Sequence, residues 1–163
     1  MYIWVVFLHV LAAFGFFLAH GASATVMLKV RGERDRARLH ALLDLSNAAG
    51  GAMTVTLLLL LLAGIIAGFM GRWWGWGWIW VSLALLIAIS LVMSFLGRLY
   101  LDRVRRAIGI ATDDDRRKKL APPPPASPEE LAEVLASGRP MALAVIGIAG
   151  LAVIVWLMMF KPF

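Results

Sequence analysis

The chain has 163 residues, room for one domain, and 61% of them are hydrophobic while only 16% are charged, against about 25% in ordinary soluble domains. A soluble fold this small cannot bury so much apolar surface, which leaves lipid as its solvent. The net charge of +6 comes mostly from two basic connecting stretches, with the aromatic residues elsewhere, so it points to anionic lipid headgroups and not to nucleic acid. With no cysteine, disulfides, thiolate metal sites and thiol nucleophiles are excluded.

In chain order, Met1 to Leu28 contains no acidic residue, lysine or arginine. The first basic residue is Lys29, so the run lacks the basic start of a signal peptide and reads as a retained membrane helix. His9 and His20 lie inside it, 11 residues apart. That separation is three helical turns plus about 20°, which puts both on one face about 16 Å apart along the axis. Ala12, Ala13 and Phe16 lie between them on that face.

After the basic residues Lys29, Arg31, Arg34, Arg36 and Arg38, Leu39, Leu42 and Leu43 share one side of a helix, and Arg36, His40 and Asp44 the other. Leu45 to Gly71 is a second uncharged run and holds a GxxxG at Gly64 and Gly68. Small residues let helices approach closely in lipid. The motif suits packing within the bundle or, alternatively, a homodimer. Trp73-Trp74-Gly75-Trp76-Gly77-Trp78 reads as a tight hairpin at the membrane interface, an aromatic belt or an aromatic lid over a ligand.

Trp73 to Gly97 is the third uncharged run. Beyond it Leu101, Val104 and Ile108 form an apolar stripe opposite Asp102, Arg105 and Arg106. This stripe and the leucine stripe are both expected to lie on the membrane surface. Thr112 to Lys119 is a mixed-charge run, and Pro122 to Pro125 favour an extended polyproline path. Ser127-Pro128-Glu129-Glu130 reads as helix cap, first-turn proline and capping-box glutamate, opening a short helix that stops at Gly138. Pro140 to Phe160 is the fourth uncharged run, locally thin at Gly147 and Gly150.

Each run has the roughly 20 apolar residues that cross about 30 Å of hydrocarbon. The expected fold is all-α: an integral membrane, four-transmembrane-helix up-down bundle with amphipathic cytoplasmic extensions. It forms a single membrane domain over residues 1–163, with spans at about 3–28, 47–70, 77–97 and 140–160. Fourteen basic residues fall in the connections 29–46 and 98–139, and two, Arg72 and Lys161, at the opposite end. The basic side is cytoplasmic, which gives an N-out/C-out chain. Trp4, Trp73, Trp74, Trp76, Trp78 and Trp156 all fall near the outer end.

Intramembrane ionisable residues are functional candidates, and here only His9 and His20 qualify. They are too far apart to share one ion, so each needs a partner from a facing helix. No other span has histidine, which leaves methionine as the second ligand for a haem. By depth, Met158 corresponds to His9, and Met53 and Met93 to His20; a dimer could instead supply a second histidine. The competing reading is a neutral histidine hydrogen-bonded to Ser90, Ser94, Thr54, Thr56 or a carbonyl. No buried charge suggests a proton relay or ion path, and no nucleotide loop or hydrolase triad is present.

The stretch Phe7-Leu8-His9-Val10-Leu11-Ala12-Ala13-Phe14-Gly15-Phe16-Phe17-Leu18-Ala19-His20-Gly21 resembles the opening of the copper-resistance D (CopD) proteins and of HemJ, the haem-associated protoporphyrinogen oxidases. Over nearly its full length the chain looks most like an uncharacterised family of small four-span predicted integral membrane proteins. These likenesses imply the bacterial cytoplasmic membrane, the four-span fold and haem b or metal binding, with His9 first and His20 second as ligands. The chain departs from both named groups. It is shorter than the copper-resistance proteins and lacks an obvious outer copper site, and it has no basic residue within spans two to four. Enzymatic activity is therefore not carried over. Two functions are expected: a haem- or metal-binding bundle, or a non-enzymatic accessory subunit of a larger membrane complex.

Overall fold

The computed structural model describes residues 1–163 as an all-helical protein. Its elements are α1 (Tyr2–Gly32), α2 (Arg36–Gly71), a single 3-10 turn (Trp73–Gly75), α3 (Gly77–Ala107), α4 (Asp113–Arg117), α5 (Pro128–Leu135) and α6 (Arg139–Phe160). Four helices are long and apolar enough to cross a membrane: α1, α2, α3 and the one containing α6. Within their most apolar windows only 17% to 28% of residues are buried, so most apolar side chains face outward, as lipid requires.

The helices pair as α1 with α2 and α3 with α6, while α2 and α3, neighbours in sequence, barely touch. Glycine sets both close approaches. A Cβ on Gly15 of α1 would stand 2.9 Å from Thr56 of α2, and one on Gly150 of α6 would run into Ile89 of α3. Ile89 faces Gly150 and Met93 faces Gly147, so α3 and α6 run antiparallel.

One end of the bundle gathers the tryptophans and both termini. Arg72 ends α2 in the left-handed conformation (φ 58°), a common way to stop a helix. Gly68 and Gly71 leave room for the Trp74 and Trp73 rings. Tyr2 meets Trp73 edge-on at 6.0 Å, the Trp78 N–H donates to the Phe163 carbonyl at 3.1 Å, and the Lys161 ammonium lies 4.4 Å from the centre of a Trp73 ring. The tight turn expected from the Trp/Gly run is present.

The other end is more built than a pair of loops. At 1.5 Å per residue, α1 (31 residues) and α2 (36 residues) reach about 46 and 54 Å, well beyond 30 Å of hydrocarbon. Only residues 33–35 separate them. The two amphipathic stripes do not lie out on a surface. They continue α2 and α3 as helix, and their apolar sides are buried in one core shared with α1, α5 and α6. Leu39, Leu43, Leu101 and Val104 join Val30 of α1 and Leu131 and Leu135 of α5 in the largest core of the protein. The physical reason is that α5 supplies a second apolar face, and burial between protein faces removes water as fully as burial in headgroups would. Capping then fixes the lid. Ser127 and Glu130 form the expected capping box at α5, Arg36 donates to the Ala126 carbonyl, and Arg105 bridges Asp102 and Asn47.

Candidate functional site

His20 is buried, and its Nε2 has no hydrogen-bond partner in the protein. Three elements hold it. Phe16, one turn earlier on α1, stacks on the imidazole at 6.2 Å between centroids and 18° between planes. On α6, Gly147 faces the ring so closely that a Cβ there would lie 2.8 Å from Cε1 and closer still to Nε2; the same point is 3.4 Å from the Met93 methyl of α3. The thinness that the sequence shows at Gly147 is thus filled by the histidine.

Because α2 and α3 pack on different partners, a gap remains between them, floored by α1 and α6. Two adjoining clefts result, with about 470 and 360 Å³ of space between atoms, open mouths included. His20, Met53 and Met93 line both. The three residues that depth counting put at one level are therefore brought to one place. Ser90, Ser94 and Thr54 also line the first cleft, yet none hydrogen-bonds to His20. Thr54 donates instead to the Gly50 carbonyl of its own helix.

His9 has a different setting. Its Nδ1 lies 2.9 Å from the Leu60 carbonyl on α2, an arrangement in which Nδ1 carries the proton and donates it. Its ring rests on Gly64, where a Cβ would lie 2.8 Å from Cε1. Gly68, one turn on, carries Trp74. Both glycines of the GxxxG therefore serve contacts within the chain. Met158 packs with Trp78, Ile79 and Leu157 at the tryptophan end. Of that belt, Trp78 is buried and Trp76 is exposed. His40, outside the spans, pairs with Asp44 at 3.0 Å. No three His, Asp or Glu side chains come together as a metal site.

The donor set around His20 is one imidazole nitrogen and two thioethers, a soft set that favours Cu(I) over hard cations. Nε2 lies against the Gly147 backbone, so any ligand on this nitrogen, an ion or a haem iron, would share that space, with Met53 and Met93 lining the same cleft.

Three further groups escaped the sequence reading. Arg31, Tyr100 and Arg139 each hold a buried polar atom without a partner. Nothing local in the sequence marks them, because only the register of α1, α3 and α6 brings them to one level.

Comparison with protein-family models, curated proteins and solved structures finds no match to this chain.

Proposed function

We propose that this is a multi-pass protein of the bacterial cytoplasmic membrane, N-out and C-out, that binds a soft metal ion at His20 with Met93 and Met53 as thioether ligands. The observation that carries it is the buried His20 Nε2, left without a hydrogen bond beside both methionines. Leaving such an atom unpaired in an apolar interior costs about 1–3 kcal/mol, and a ligated ion removes that cost. The orientation rests on the basic residues at the α4–α5 end against two at the tryptophan end.

The test is anaerobic titration of the purified full-length protein with Cu(I) in competition with a chromophoric chelator. One equivalent should bind tightly. His20→Ala should abolish it, and Met93→Leu should weaken it at least tenfold. A folded His20→Ala protein that binds as well as the parent overturns the proposal. An absorbance scan from 350 to 600 nm of protein from haem-supplied cells tests the haem alternative: a Soret band lost in His20→Ala would put haem, and not a bare ion, on this histidine.

A further inference from the structure

We infer that Arg31, Tyr100 and Arg139 form a binding site for a phosphate group at the basic end of the bundle, where α1, α3 and α6 meet.

The residues come together through helix register. Met27 of α1 packs on Gly97 of α3, and Met93 of α3 packs on Gly147 of α6. One turn beyond the first contact and two turns beyond the second, toward the basic end, this register brings Arg31 and Arg139 to the level of Tyr100. Val30 beside Arg31, Tyr100 itself, and Leu143 one turn from Arg139 share one core. Tyr100 is 1% exposed. Its hydroxyl, Arg31 Nε and Arg139 Nη1 are all buried, and none has a hydrogen-bond partner.

Two guanidinium groups with partly buried, unpaired nitrogens need a counter-charge. The chain does not supply it. Asp102 and Asp115 pair with Arg105 and Arg106 of α3, Asp113 with Arg116 of α4 and Asp114 with Lys118 just past it; Glu33 pairs with Arg38 and Asp44 with His40. Asp35 caps α2 and Glu130 caps α5. No carboxylate is bonded to Arg31 or Arg139. The first turn of α6 lies here too, but its Arg139 N–H donates to Ser137 Oγ at 3.3 Å and Pro140 has no N–H, so the side chains carry the site. Two guanidiniums and a phenol suit the oxygens of a phosphate.

The second cleft is lined by Met27 on α1, one turn from Arg31, and by Pro140 and Leu143 on α6, beside and one turn from Arg139. An apolar slot behind a phosphate site favours an anionic lipid, whose headgroup would sit at the arginines. Inorganic phosphate offers the same oxygens without the chain. The phosphate contacts use other residues than the proposed metal site, while the slot behind them is the cleft that His20, Met53 and Met93 also line.

The test is titration of full-length protein, in a neutral detergent, with fluorescent phosphatidylglycerol, followed by competition with inorganic phosphate. Saturable binding of one lipid is expected. Arg31→Gln or Arg139→Gln should weaken it about tenfold, the loss of a charge-assisted bond, and Tyr100→Phe severalfold. Arg103→Gln removes the same charge from an exposed position and should stay within twofold of the parent. Displacement by millimolar phosphate assigns the site to the free anion, and resistance to it assigns the lipid; either supports the site. Absence of binding by both probes overturns it, as does a loss in Arg103→Gln equal to that in the arginine pair. Tyr100→Phe keeps the shape of the core, so its result stands even if an arginine variant fails to fold.

Discussion

At the scale of single residues, glycine decides what each histidine does. The Gly147 backbone is the wall against which His20 lies, so Gly147→Ala must push the ring or part α6 from α1. Overpacking of this kind costs about 1–3 kcal/mol. In a His20→Ala background the same substitution meets empty space, and most of that cost should vanish; a thermal-unfolding double-mutant cycle measures the coupling. Simple additivity would mean the ring is not held there. The second pair is graded by distance. A Cβ at Gly64 would lie 2.8 Å from the His9 ring and one at Gly68 3.2 Å from Trp74. Gly64→Ala also threatens the Nδ1–Leu60 hydrogen bond, so it should lower the unfolding temperature more than Gly68→Ala. Sequence alone singled out all four residues. It could not match each histidine to its glycine, because a periodicity of 3.6 gives faces and not neighbours.

At the scale of elements, the uncharged runs made the four long helices legible, and the cap at Ser127 made α5 legible. Two things were hidden. The amphipathic stripes of α2 and α3 look the same whether they face headgroups or a protein core, and only the presence of α5 opposite them decides. The run Thr112 to Lys119 reads as solvated charge, yet it folds into α4. Thr112 caps it in a reciprocal box with Asp115, a Thr-x-x-Asp signal that was there to be seen. The Thr112 hydroxyl donates to Asp115 at 2.6 Å, the Thr112 N–H donates at 3.0 Å, and Arg106 donates twice, at 2.8 and 3.2 Å. These bonds, those from Thr112 foremost, hold the Asp115 carboxyl below its usual range. A depressed carboxyl stabilises the folded state above its unfolded value, near 4, and that contribution is lost as the pH falls through the folded value. Protection factors of the α4 amides, taken against the intrinsic exchange rate at each pH, should therefore be higher at pH 7 and fall below about pH 4. Asp115→Asn should show low protection factors at both pH values. Equal protection of the parent at pH 7 and pH 3 would contradict the assignment.

At the scale of the whole molecule, the two ends are chemically different objects. One is a clasp of tryptophans with both termini drawn in: Tyr2 and Lys161 meet Trp73, and Phe163 meets Trp78. The other is a polar cap, with its own buried core and a ring of ion pairs. Lipid explains the division. Amphipathic indoles are stable at headgroup depth, whereas a helical extension bearing many arginines is costly to move through hydrocarbon and stays on the side of synthesis. Because the chain has no cysteine, single introduced thiols report orientation without background. Trp76 is exposed at the clasp, and Arg117 is exposed in α4 with no ion pair or side-chain hydrogen bond of its own. With a membrane-impermeant thiol reagent, Trp76→Cys should label in intact spheroplasts, while Arg117→Cys should label only after lysis. The reverse pattern would turn the bundle over in the membrane and place the Arg31, Tyr100 and Arg139 cluster on the outer leaflet. Labelling of both in intact spheroplasts would show that α4 is reachable from outside, against the retention of basic segments on which the orientation is built.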